Sequence, residues 1–205
     1  MKKKISVTLS ILFAGIVFGQ TSNPTANGFA NFNEFKQNTP SLTFSFQLKK
    51  RTKGNIFMMG GIANYRLENV QPESDIVKLE NEVWGITFHD TAYINSYPYS
   101  KRPGYNQIIE KGYYTYFIGE PAGALKEQKE LGFIKPDAKK GVPVCCQVGY
   151  VIHPDGTIKL LRPEVLSDLC KDNEEISKEI TAAKLKLEDV YKMFDFLKKY
   201  NATKK

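Results

Sequence analysis

Three cysteines and two histidines are the residues best suited to covalent or metal chemistry in this 205-residue chain. Cys145 and Cys146 are adjacent in an apolar run, Cys170 closes an expected short helix, and the histidines are His89 and His153. A thiol nucleophile needs a base within hydrogen-bond reach. If residues 142–152 form one strand, Cys145 and His153 are separated by about 27 Å at 3.4 Å per residue, and Cys146 faces away from His153. Only His89, brought in from elsewhere in the fold, could then act as the base. The vicinal pair also lacks the usual spacing between zinc ligands. The chain contains no phosphate-binding glycine loop, serine elbow or metalloprotease helix signature. The expectation is therefore no catalytic set, no metal site and no cofactor, with a thiol-dependent enzyme using Cys145 or Cys146 and a histidine base kept as the alternative.

The same cysteines could serve structure. A bridge between neighbours is strained, so a disulfide would join Cys145 or Cys146 to Cys170. Closing that loop of about 25 residues would contribute about 3 kcal/mol. The alternative is three buried thiols packing as small hydrophobes. For binding rather than catalysis, the candidate is the loop SYPYSKRPGY, where Tyr97, Tyr99, Lys101, Arg102 and Tyr105 combine aromatic faces with cations. Such a loop suits a sugar or a peptide, although tyrosines also cover hydrophobic edges with their hydroxyls left wet.

The elements that must position these residues are legible from periodicity. Phe29, Phe32 and Phe35 recur every three residues, as in a short helical turn that pins the start of the domain. Leu42, Phe44, Phe46 and Leu48 alternate with polar residues, the period of a half-buried strand. A basic turn over residues 49–54 and a partner strand over residues 55–62 are expected to follow. Strands over residues 83–88 and 92–95 flank His89-Asp90-Thr91, and strands over residues 105–110 and 113–118 flank Lys111-Gly112. A short helix is expected over residues 122–131. Pro154-Asp155-Gly156 separates two further apolar runs and reads as a turn, because Pro presets φ and Gly accepts a positive φ. Short connections of this kind predict an antiparallel meander of six to eight strands rather than βαβ units.

The C-terminal region changes period. Pro163 suits the first turn of a helix ending near Cys170, and Asp172 or Asn173 can cap the next. Ile176, Ile180, Ala183, Leu187, Val190, Phe194 and Leu197 then form one apolar stripe, read as a single helix of about 25 residues. The fold class expected is α+β, an antiparallel meander sheet with a long C-terminal helix packed on it.

At the other end, Lys2, Lys3 and Lys4 precede an apolar stretch over residues 5–18. That is the pattern of a signal peptide, and the stretch is shorter than the ~20 residues a membrane-spanning helix needs. Cleavage is expected between Gly19 and Gln20. Residues 1–19 are then the leader, residues 20–30 a polar flexible lead, and residues 31–201 a single domain exported to the periplasm or the cell exterior, with no membrane span after cleavage. The full chain carries +7, and the leader holds three lysines and no acid, which leaves +4 on the remainder. So mild an excess gives no reason to invoke nucleic acid.

Several stretches also carry a family likeness. Residues 84–90 (WGITFHD) with Tyr93-Ile94-Asn95, residues 112–117 (GYYTYF), Tyr150-Val151-Ile152 with Gly156, residues 161–169 and Lys198-Lys199-Tyr200-Asn201 together resemble uncharacterised secreted proteins of the Bacteroidota, a domain of unknown function. The resemblance implies export and brings no activity with it. In that setting Asp90-Thr91-Ala92 looks like an O-glycosylation pattern. Asn201-Ala202-Thr203 is a sequon that would matter only in a eukaryotic secretory pathway. The function expected is a non-enzymatic envelope binding or structural module, with an envelope protein or glycan as partner.

Overall fold

The computed structural model describes residues 23–52, 54–55, 63–119 and 147–204. The leader with its Gly19-Gln20 junction, the expected helix over residues 122–131, and Cys145 and Cys146 all lie outside the described residues.

Part of the expected flexible lead is a strand. β1 (Thr25–Phe29) pairs antiparallel on both sides, with β2 (Leu42–Lys50) and with a later strand. Its polar Thr25 and Asn27 point outward while Ala26 and Phe29 are buried, so polar composition concealed a strand whose inward residues are small or aromatic. Between β1 and β2, α1 (Phe32–Gln37) begins at Asn31, whose side chain accepts from the Glu34 amide, while Glu34 Oε2 accepts from the Ala30 amide. Two helix-start donors are satisfied in this way. Phe35 meets Phe29 edge-on at 5.5 Å between ring centres and lies 4.7 Å from Trp84, so the three-residue aromatic spacing does pin the chain start.

The partner of β2 is β3 (Tyr65–Gln71), ten residues later than the sequence indicated. Asn55 lies in a helical turn instead, and residues 56–62 are outside the described set. α2 (Asp75–Asn81) follows and sends Leu79 into the core. β4 (Gly85–Phe88) and β5 (Thr91–Asn95) form a tight hairpin in which His89 (φ 46°) and Asp90 (φ 59°) are both left-handed, the geometry whose twist matches that of the strands. α3 (Tyr97–Ser100) leads to β6 (Tyr105–Glu110), then β7 (Thr115–Gly119), β8 (Val148–Ile152) and β9 (Ile158–Leu160). Gly156, at φ 88°, turns the last hairpin as expected.

Among the described residues, nine strands form one antiparallel sheet in the order β3-β2-β1-β4-β5-β6-β7-β8-β9. From β4 onward it is a meander; β1 is inserted between β2 and β4. A single additional pairing, Tyr65 with Tyr105, brings β3 against β6 and curls the first six strands into a nearly closed barrel. Inside it Phe44, Phe46, Ile86 and Tyr105 pack against Leu79. A bulge between Ile108 and Glu110 bends β6 out of the barrel and into the flatter sheet β6-β7-β8-β9.

Three helices cover that flatter sheet: α4 (Pro163–Leu169), α5 (Glu174–Ala183) and α6 (Val190–Thr203). The C-terminal helix packs on the sheet as expected, but the long apolar stripe is two helices. Lys184, left-handed at φ 45°, ends α5, and Asp189 holds the turn by accepting from the Lys186 amide. No glycine or proline marks this break, so the periodicity runs through it unbroken. Folding back lets Ile176, Ile180, Val190, Phe194 and Leu197 share one core with Tyr116 and Val151. No helix among the described residues is long and apolar enough to cross a membrane.

Candidate functional site

The tyrosine-rich loop divides into structural and exposed parts. Tyr105 is 0% exposed, and its hydroxyl donates to the Leu79 carbonyl at 2.6 Å. Tyr99 packs against Phe117 and Tyr150 and accepts from Asn106 Nδ2 at 2.7 Å. Burial raises the pKa of both hydroxyls, so neither ionises at ordinary pH. These two rings tie the loop to the interior; Tyr105 is closed to a ligand, while Tyr99 is partly exposed with its hydroxyl engaged. Tyr97 is half-buried with Lys101 Nζ 5.4 Å from its ring centre, and Arg102 is exposed.

Local hydrogen bonds hold the exposed part in place. Ser96 Oγ donates to the Arg102 and Gly104 carbonyls, and the Ser96 amide also donates to Gly104. Asn95 is wholly buried: its Nδ2 donates to the carbonyls of Leu79, Glu80 and Val83, and its Oδ1 accepts from the Tyr97 amide. One asparagine thus fastens the end of α2 to the start of α3. Gly104 sits at φ 130°, where a Cβ would strike Ala63. The loop therefore lies directly on the start of β3.

Beside that contact is a cleft of about 300 Å3 lined by Arg51, Asn55, Tyr65, Arg66, Glu80 and the Pro103-Gly104 backbone. It forms because β3 meets β6 at one residue pair only, so the barrel seam stays open beyond Tyr65. Arg51 is held in place: Nε donates to Asn55 Oδ1 at 2.9 Å and Nη1 to the Ala63 carbonyl at 3.2 Å. Arg66 Nη2 pairs with Glu68, which Lys49 also approaches at 3.4 Å. These contacts hold the Glu68 carboxyl below its ordinary pKa against the effect of its burial. Lys50, Lys101 and Arg102 make no ion pair among the described residues. Lys50 adjoins Arg51 in the chain, and Lys101 and Arg102 belong to the clamped loop, so cations outnumber acids around the cleft. Arg51 Nη2 also donates to the Asn55 carbonyl at 3.5 Å, so an anion entering the cleft meets two guanidinium groups already held by protein acceptors, a chemistry that suits a carboxylate or phosphate. Pro103 and Gly104 were legible as part of a loop of interest; Arg51, Arg66 and Glu80 were not, because only the seam brings them together.

Cys145 and Cys146, the candidate nucleophiles, lie outside the described residues, and among the described ones the remaining thiol has no histidine partner. Cys170 is a buried free thiol whose pKa burial pushes up to about 12, the opposite of an activated nucleophile. His153 stands edge-on to Tyr114, and the His89 ring lies tilted against Phe88, 4.2 Å between centres, at the tip of the β4–β5 hairpin. Neither bonds to Cys170. No group of three or more His, Cys, Asp or Glu side chains suited to a metal occurs among the described residues. Asn201 of the sequon is 8% exposed, accepting from the Tyr114 amide and donating to its carbonyl, so its side chain is closed to modification in the folded protein.

Fold and site together describe an α+β protein with a cationic cleft at the seam of a small antiparallel barrel. The chain belongs to Family of unknown function (DUF6563), whose profile matches residues 27–204. No curated protein and no solved structure matches it.

Proposed function

We propose that the protein is an exported, non-enzymatic binding module of the cell envelope that holds an anionic group of its ligand in the Arg51/Arg66 cleft. Export rests on the lysine-led apolar opening of the chain and on its likeness to secreted proteins of the Bacteroidota. The observation that carries the binding site is the placement of two guanidinium groups in one seam cleft of about 300 Å3, with Tyr65 and the clamped Pro103-Gly104 backbone as walls. Binding needs no reacting side chain, and the one described thiol is buried and protonated.

Two measurements test this. Intact mass of native protein is expected to begin at Gln20; a cytosolic polypeptide retaining Met1 contradicts export. Titration of the mature protein with inorganic polyphosphate is expected to show saturable, salt-sensitive binding that Arg66→Gln weakens about tenfold, the loss of one charge-assisted contact. Equal binding by Arg66→Gln contradicts the cleft as the site.

A further inference from the structure

A second recess lies on the same β2–β3 ribbon. It has a volume of about 470 Å3 and is lined by Asn23, Gln47, Asn69, Val70, Gln71 and Glu73. The side-chain amides of Asn23, Gln47 and Asn69 are linked in series, and the circuit closes on the Asn69 backbone carbonyl. Gln47 Nε2 donates to Asn23 Oδ1 at 3.3 Å, Asn69 Nδ2 donates to Gln47 Oε1 at 3.1 Å, and Asn23 Nδ2 donates to the Asn69 carbonyl. Asn69 is left-handed at φ 54°, where the β2–β3 register shifts between Ser45 and Gln47. The bulge therefore fixes its direction. Each amide nitrogen carries two N–H donors and each ring contact uses one, so every member keeps a donor for a ligand. The charged side chain here is the Glu73 carboxylate, which disfavours an anion. Hydroxyls, which both donate and accept, satisfy fixed amides and a carboxylate together.

The recess and the cleft are joined by one face of the ribbon. Gln47 pairs with Glu68 and Lys49 with Arg66, so these four side chains share that face. From Gln47 to Arg51 the strand advances about 14 Å at 3.4 Å per residue.

We propose that the amide-lined recess is a subsite for the hydroxyls of a sugar ring, and that the ligand is an acidic oligosaccharide lying along the β2–β3 ribbon from recess to cleft. Its acidic half rests on the reading of the cleft as an anion site; its sugar half rests on the amide ring alone.

The test uses the mature protein and three probes: a polygalacturonate hexasaccharide, its carboxyl-reduced neutral form, and inorganic polyphosphate. The pair Gln47→Met and Asn69→Gly removes the amides while keeping strand shape and the left-handed backbone. It is expected to weaken hexasaccharide binding about tenfold and leave polyphosphate binding unchanged. The neutral form is expected to bind more weakly than the acidic one to the unaltered protein and equally well to Arg66→Gln. Undiminished hexasaccharide binding by the double variant overturns the subsite, as does failure of the unaltered protein to bind any hexasaccharide. If the double variant weakens the hexasaccharide while Arg66→Gln weakens nothing, the sugar subsite stands and the anion cleft falls.

Discussion

The barrel and the helix-covered sheet are continuations of one antiparallel ladder, and both bury bonded polar groups, Asn95 and Tyr105 in the barrel and Asn201 in the other half, but the barrel also gathers exposed polar side chains beside recesses. In the helix-covered half, Asn201 bonds to the Tyr114 backbone, Tyr116 donates to Glu110, and Tyr200 donates to Asp172. In the barrel half, Arg66, Gln47, Asn69, Lys101 and Arg102 stay at the surface, and the open seam and the bulge gather them beside recesses. Saturated buried contacts specify a fold, whereas binding needs fixed groups with donors to spare. The contrast places recognition at the barrel surface and stability in the buried contacts of both halves, so substitutions in the helix-covered core and at the seam should separate the two properties.

The largest effect is expected from Phe194→Ala, which empties a site stacked on Tyr116 at 4.6 Å. Unfolding in urea should show a loss of about 3–5 kcal/mol with polyphosphate affinity kept in the folded fraction. Arg66→Gln should do the reverse, changing stability by less than about 0.5 kcal/mol while weakening binding. A binding loss in folded Phe194→Ala would break the division.

Next is Asn201→Ala, which leaves the buried Tyr114 amide and carbonyl without their partner and should cost about 1–3 kcal/mol in the same assay. Gly112→Ala should destabilise in the same direction, since its Cβ would strike the Asn201 side chain. A neutral result for both would mean that this contact does not hold the final helix.

A smaller, pH-dependent effect comes from His153. Its Nε2 is buried without a hydrogen bond among the described residues, and it faces Tyr114, Lys159, Asp155 and Asp168. Burial, helped by Lys159, lowers its pKa below 6.5 against the opposing pull of the two aspartates. The unfolded chain therefore takes up a proton first. Stability should be full above about pH 6.5 and fall as pH drops from there toward the folded pKa. His153→Phe should flatten that limb of a urea-midpoint profile; an unchanged slope would assign it to other groups. The smallest effect is expected from Glu179→Gln, which removes the exposed pairing with Lys199 and should shift stability by less than about 1 kcal/mol.

Much of the architecture was legible because it rests on local chemistry. The Pro154-Asp155-Gly156 turn, the Asn173 cap and the aromatic spacing of α1 each depend on residues close in sequence. Features made by distant contacts were not legible. β1 was hidden by its polar outer face, and the break at Lys184 occurs in a stripe with no glycine or proline. The barrel seam depends on Tyr65 meeting Tyr105 across forty residues. The site followed the same rule: loop composition drew attention to Tyr97, Tyr99 and Tyr105, but aromatic type does not distinguish a ligand platform from a core anchor. Two of the three are anchors, and the arginines of the cleft come from another part of the chain.

The most direct test of this division is to map amide chemical shifts of the mature protein as inorganic polyphosphate is added. The account predicts that the perturbed amides cluster at Arg51, Tyr65, Arg66 and Gly104, with α4, α5 and α6 unchanged. Perturbations centred on those helices, leaving the seam silent, would contradict it.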